Sequence, residues 1–348
     1  MKKYIITICL MFCCYWSMAQ VGVADLIQVS GGLFTMGNSS YTRESPTKTI
    51  TVSPFSMGRY TVTNAQFAQF VNSYGSVTVK VGEFAGKPMF VSDSWGIVNN
   101  GGVWAPATGY EQFPMIKVSW YGALEFCKSV GGRLTTEAEW EYAAKGGPTQ
   151  QSYTFSGSST AATVAWFYDN SGQINKAVGT KTANSLGLYD MSGNVYQWCS
   201  DWFGRYGDFG ASGDINPAGP ATGASRVIRG GYRSLGSGDL HLTNRESVSP
   251  DETYNFVGFR VVKDSLTAGV SYHDDILKIY PNPVKQFLNI ASSSDITKIH
   301  IYDAHGRLIS NITGNTKSIA TGNFATGMYL IKIETDFKVL IKKFEVRQ

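Results

Sequence analysis

Residues 184–202 read NSLGLYDMSGNVYQWCSDW, a run of turn-forming glycine and core aromatics in the chain's middle. Glycines such as Gly187 and Gly193 suit tight turns, since glycine alone enters the left-handed backbone region without steric cost. Trp198 and Trp202 supply large apolar surface for a core. On both sides the pattern continues, rich in Gly, Trp and Tyr, with loop signals such as Asn99-Asn100-Gly101-Gly102, Ser156-Gly157-Ser158 and Ala211-Ser212-Gly213. Few long periodic segments interrupt it, so the region reads as irregular α+β. Three helices stand out upstream. The first covers 63–71, with Phe67, Phe70 and Val71 on one stripe; the second covers 119–129, with Ala123, Leu124 and Cys127 placed alike. The third starts after Thr136, where Thr136 and Glu139 have capping-box spacing and Trp140, Ala143 and Ala144 follow. Core packing is the expected role of all three.

The ends differ from this middle. Met1, Lys2 and Lys3 precede an apolar run over 4–18 that closes on Ala19 and Gln20, the order of charge, apolar core and small residue found in secretory signals. Cleavage by signal peptidase is expected near Ala19. The run is shorter than a spanning helix needs, and no other stretch comes close, so no membrane span is expected. Residues 264–275, DSLTAGVSYHDD, are polar and aperiodic and read as a linker. Beyond it, short β-rich runs at 277–280, 287–290, 299–302, 308–312, 328–333 and 339–344 alternate with turn residues, as in a small antiparallel sandwich. The expected organisation is a signal over 1–19, a central domain over 25–263, a linker over 264–275 and a tail domain over 276–348.

Charge and cysteine usage narrow the function. The formal net charge is +4, and the tail holds ten Lys or Arg against five acids, so the basic excess lies there, while the stretch between signal and tail, 20–275, is mildly acidic. Nucleic acid is therefore not an expected partner, because phosphate neutralisation needs clustered basic residues. With the signal removed, only Cys127 and Cys199 remain, too few for a disulfide scaffold. The chain must be held by hydrophobic cores.

The tail, with IYPNPV (279–284), IYDAHGRLI (301–309) and ATGMYLIKI (325–333), resembles the C-terminal sorting domain of the bacterial type IX secretion system. That resemblance implies handling by the type IX machinery and a place outside the cell or on its surface. The central domain carries GLFTMG (32–37), MGRYTVTNAQFAQF (57–70), FPMIKVSWYGALEFC (113–127), GGRLTTEAEWEYAAKGG (131–147), the opening stretch, RVIRGGY (226–232) and VGFRVV (257–262). In this order they resemble the formylglycine-generating enzyme, or sulfatase-modifying factor, family. The implied fold is an irregular relative of the C-type lectin fold, here followed by a small all-β, immunoglobulin-like sandwich. Most of these blocks are scaffold, with Arg229 and Arg260 expected in buried ion pairs.

Family members that oxidise a substrate cysteine to formylglycine use two cysteines between the RGG and GFR blocks to hold copper, chemistry that needs soft thiolates. Here 232–257 contains no cysteine, and the nearest positions are Leu235 and Ser237. Copper is not expected and no catalytic residue is assigned. His241 could serve as a base or ligand, but a single loop histidine is more simply a hydrogen-bonded loop residue; His273, His300 and His305 fall in the linker and tail. The resemblance further implies a calcium site from the Asp190 carboxylate, the Gly193 and Val195 carbonyls and the Gln197 side chain. The family usually has Glu at the last position, so a charge is lost. A second family calcium site, near 165–171, lacks its Asn ligand. Cys127, whose usual family partner position is Val261, is expected as a free thiol.

Three functions are weighed. The first is a non-catalytic module that binds a glycan or peptide in the enzymes' cleft, with Tyr196, Trp198, Tyr232, Ser237, His241 and Arg245 as candidate contacts and Trp202, Phe203 and Tyr206 nearby. The second is a sulfatase-modifying oxidase. The third is a structural part of a gliding or secretion assembly. Binding or structural use ranks first, with the enzyme behind.

Overall fold

A computed structural model of the chain describes residues 25–206, 214–264, 278–292, 295–303, 306–335 and 339–347. The expected signal, nearly all of the expected linker, and His273 and His305 lie outside the described residues. Two compact units divide the chain, Met1–Ser265 and Leu266–Gln348.

The first unit runs through β1 (Leu26–Val29), β2 (Gly32–Met36), β3 (Lys48–Val52), β4 (Phe55–Gly58), α1 (Asn64–Tyr74), β5 (Ile97–Asn100) and β6 (Val103–Pro106). It continues with α2 (Trp120–Ser129), β7 (Arg133–Leu134), α3 (Glu137–Ala144) and the short helices α4 (Ala161–Val164) and α5 (Tyr168–Ser171). Strands β8 (Tyr196–Trp202), β9 (Arg226–Arg229), β10 (Arg245–Val248), β11 (Val257–Gly258) and β12 (Val261–Asp264) complete it. Two four-stranded sheets, β1-β4-β12-β7 and β10-β9-β8-β11, are joined by the hairpins β2–β3 and β5–β6.

Local chemistry sets the three helices. Thr63 accepts the Gln66 amide at 3.3 Å while Gln66 accepts the Thr63 amide at 3.0 Å, so α1 begins in a closed capping box. Its last residue, Tyr74, lies three past the stripe that predicted it, and Gly75 at φ 66° closes it. Ser119 caps α2 by accepting the Gly122 amide. The Thr136–Glu139 box opens α3 as its spacing predicted, and all eight residues of α3 are buried. Of residues 99–102, Asn99 and Asn100 end β5 and Gly101 and Gly102 turn into β6, where the Asn99 side chain accepts the Gly102 amide at 2.7 Å.

Strand β8 lies between antiparallel β9 and parallel β11, so the YQWCSDW run is buried almost throughout instead of alternating. One core cluster gathers Phe67, Phe90, Phe126, Trp198 and Phe259, and a second gathers Phe55, Met57, Trp140, Tyr142 and Val262.

The second unit contains β13 (Lys278–Tyr280), β14 (Phe287–Ala291), β15 (Ile296–Asp303), β16 (Leu308–Thr313), β17 (Ser318–Ala320), β18 (Gly327–Thr335) and β19 (Val339–Val346). They form two antiparallel sheets, β13-β14-β17 and β16-β15-β18-β19, over Leu288, Ile290, Ile299, Ile301, Ile331 and Phe344. Each of the six predicted strands is present. The extra one, β17, buries only Ile319 among its three residues, too little pattern to read from sequence. No helix among the described residues is long and apolar enough to cross a membrane.

Candidate functional site

Helix α3 is bolted to the β9–β10 pair by a buried ion network. Arg245 grips Glu137 through Nε at 2.7 Å and Nη2 at 2.6 Å, and Arg229 reaches Glu137 at 3.2 Å and Glu141 at 2.6 Å. Glu141 also accepts Lys145 at 2.7 Å and the Gly37 amide at 2.8 Å. Burial opposes its charge, but the Lys145 and Arg229 charges hold its carboxyl below the ordinary value. Arg229 is thus ion-paired as expected. Arg260 is a correction: it donates to the Gln197 side chain and to the carbonyls of Gly58, Arg59 and Tyr189, with no carboxylate partner among the described residues. Burial lowers its pKa to about 10, partly offset by the Asp190 charge.

The interval that holds the family's catalytic cysteines runs from the end of β9 to β11. The RGG turn packs tightly there: Gly231 sits at φ 73°, and a Cβ on it would fall 2.4 Å from Leu240 Cδ2. Leu235 is half-buried and packs against two hydrophobic clusters, while an exposed Ser237 opens a 3-10 turn over Ser237–Leu240 that ends on buried Leu240. The thiols of Cys127 and Cys199 are free and fully buried elsewhere in the core, and burial pushes both pKa values up. Buried neutral thiols are inert toward metals and oxidants.

The calcium expectation meets a different arrangement. The Asp190 carboxylate accepts the Gly179 amide at 2.8 Å, and Asp190 is only 3% exposed. Gln197 Oε1 accepts both Trp140 Nε1 at 2.9 Å and Arg260 Nε at 2.7 Å, while its Nε2 donates to the Asp190 carbonyl at 2.7 Å. Two donors occupy the Gln197 oxygen, and a guanidinium lies beside it. Of the expected calcium ligands this leaves the Asp190 carboxylate and the Gly193 and Val195 carbonyls, with water to fill the rest of the six to eight oxygens calcium takes. The Gln197 side chain, as placed, does not fit that ion. Among the described residues no group of three His, Cys, Asp or Glu is placed to hold a metal.

The six cleft candidates are not all brought together, although the Tyr196 and Tyr232 rings pack at 5.7 Å. Trp198 is fully buried with Nε1 on the Val118 carbonyl, and Arg245 is 2% exposed within the ion network. Both are core, because β8 is covered on both faces and Arg245 is the charge partner of Glu137. Tyr196 is buried beneath a column of rings: Tyr232 lies 5.7 Å from it, Phe256 4.7 Å from Tyr232, and Tyr254 4.9 Å from Phe256. Burial, then the Glu246 and Asp239 charges, push the Tyr196 phenol up.

His241 alone lines a large concavity. This cleft of about 700 Å³ lies over the outer face of the β2–β3 hairpin, between residues 150–154 and 241–243. The His241 ring stacks on Tyr41 at 4.6 Å, with Nε2 2.8 Å from Glu44 Oε1 and Nδ1 2.8 Å from the Gly238 carbonyl. Burial alone depresses its pKa, but the hydrogen bonds to Glu44 and Gly238 outweigh it and the net shift is upward.

Residues 17–265 match the sulfatase-modifying factor enzyme 1-like domain. The chain belongs to that family. Within this sulfatase-modifying-factor-like domain, identity is 36% over 242 residues to the serine/threonine-protein kinase pkn1 of Chlamydia caviae, covering 69% of this chain and 38% of the kinase. The chain therefore spans well under half of that relative. Identity is 32% over 293 residues to the formylglycine-generating enzyme of Streptomyces coelicolor, covering 70% of this chain and 90% of the enzyme. Among solved structures, PvdO from Pseudomonas aeruginosa superposes with a TM-score of 0.54 at 23% identity, over 69% of this chain and 94% of that one, a likeness of fold. Residues 278–347 match a secretion system C-terminal sorting domain. The tail assigns this sulfatase-modifying-factor-like protein to type IX secretion, to the cell surface or the extracellular space.

The cleft over β2–β3 escaped the sequence reading of this domain. Its signal was present in two places: the outward positions Leu33, Thr35 and Thr49 of a half-buried hairpin, and the charge-free polar run Gln150-Gln151-Ser152-Tyr153-Thr154.

Proposed function

We propose that the chain is a secreted or surface-displayed member of its family whose central domain binds a ligand, a glycan or a peptide, and does not oxidise cysteine. The observation that carries this reading is the RGG-to-GFR interval, where Leu235 and Ser237 stand near the positions of the copper-binding pair and no cysteine occurs. Leucine offers no donor, and a serine hydroxyl is a hard, protonated one, unsuited to copper. Two further features support it. Cys127 and Cys199 are sealed in the core as neutral thiols, and the half-buried Leu235 side chain packs into the hydrophobic clusters beside that interval. The relatives named formylglycine-generating enzyme keep the oxidase as the alternative.

A copper titration separates the two. The chain starting at Gln20, reduced and titrated with Cu(I) against a chromophoric chelator, is expected to leave the metal with the chelator. One tightly held equivalent per chain would overturn the proposal.

A further inference from the structure

We infer that the cleft over the β2–β3 hairpin takes a neutral oligosaccharide, an assignment that rests on the binding-module reading above and gives its ligand a chemical class. Apart from tyrosines, the ionisable side chains lining the cleft are Lys145 and His241. Lys145 Nζ is held by Glu141 at 2.7 Å and by the Thr35 carbonyl at 2.8 Å, and His241 by Glu44 at 2.8 Å. Among the described residues no uncommitted charge faces the space, so an acidic glycan or a phosphorylated group finds no counter-ion there.

What the cleft does offer is uncharged hydrogen-bonding capacity. Among the described residues, the side chains of Thr35, Thr49, Gln151 and Thr154 and the hydroxyls of Tyr41 and Tyr153 line it without a hydrogen bond to protein. Hydroxyls and carboxamides both give and accept hydrogen bonds. A ligand studded with hydroxyls, each also a donor and an acceptor, matches that lining group for group. A peptide strand is held differently, by a row of backbone amides, and the Thr35 carbonyl is already taken by Lys145.

Apolar surface completes the match. Tyr41 is 47% exposed and Tyr153 42%, beside Leu33 at 65%. One face of Tyr41 rests on His241, which fixes the ring's plane. Exposed tyrosines present flat apolar faces with a polar rim, the complement of a sugar ring's C–H face and its hydroxyl edge. The volume, about 700 Å³, is that of a small-molecule site. The hairpin also makes a firm floor, since alternation sends Phe34, Met36, Ile50 and Val52 into the core while Leu33, Thr35 and Thr49 face outward.

The test titrates the chain starting at Gln20, by calorimetry, with maltotriose, cellotriose, mannotriose and chitotriose, with trigalacturonate as the acidic probe and a sulfatase-type cysteine peptide as the peptide probe. The expected result is saturable binding of at least one neutral trisaccharide, insensitive to 0.5 M NaCl. Tyr153→Ala and Gln151→Ala are each expected to weaken it tenfold or more at unchanged melting temperature. The inference is overturned if none of the four binds at 10 mM, if trigalacturonate is preferred, or if both variants bind like the parent. Peptide binding alone, lost in Tyr153→Ala, overturns the saccharide while leaving the binding-module reading in place; conversion of the peptide's cysteine overturns that reading instead.

Discussion

Asp201 on β8 accepts the Glu137 amide and the Ser200 hydroxyl, both at 2.9 Å, in a setting 4% exposed. Burial, then the neighbouring Glu137 charge, push its carboxyl from 3.8 up to about 7. The folded chain therefore keeps this proton over a range where the unfolded chain has lost it, so stability falls as pH rises from about 4 to about 7. His241 adds to the fall: its raised pKa contributes stability below its unfolded value, lost as pH rises through the folded one. Urea midpoints at pH 5 and pH 8 are expected to differ less in Asp201→Asn than in the parent; an equal difference in both contradicts the assignment. Gln197 makes a second residue-scale prediction. With its oxygen shared between Trp140 and Arg260, millimolar calcium is expected to leave the melting temperature unchanged, and a rise abolished by Asp190→Ala would contradict that. The Gln197 position was legible in the sequence, its role was not, because the two donors lie 57 and 63 residues away. The missing cysteine pair needed no structure at all.

At the scale of elements, what was legible was local. The boxes at Thr63–Gln66 and Thr136–Glu139 close within one turn, so spacing alone marks both helix starts, and Thr136→Ala is expected to cost about 1 kcal/mol in urea denaturation. What escaped the reading is built from distant segments. The α3–β9–β10 bolt joins Glu137 to arginines 92 and 108 residues further on, and the cleft over β2–β3 draws on three separate stretches. Glu137→Ala strands the buried Arg245 guanidinium and leaves Arg229 with Glu141 alone, and is expected to lose roughly 3–5 kcal/mol. A loss under about 1 kcal/mol would show that the network is not what fixes α3 to the sheet.

At the scale of the molecule, a family domain over 17–265 and a sorting domain over 278–347 occur in one chain. Both were recognisable because their motifs are dense and ordered, whereas the ligand class depends on which side chains surround one cleft. Removal of 278–347 is expected to leave the protein inside the cell envelope of a type IX-competent host, by fractionation and immunoblot; undiminished export would contradict the tail's role. The most direct test concerns chemistry. The copper-loaded chain is incubated aerobically, with reductant, with a sulfatase-type peptide, and the peptide's cysteine is followed by mass spectrometry beside an active formylglycine-generating enzyme. The expected result is an unchanged cysteine mass under conditions where the active enzyme converts it; accumulation of the formylglycine product by this chain would contradict a domain kept for binding.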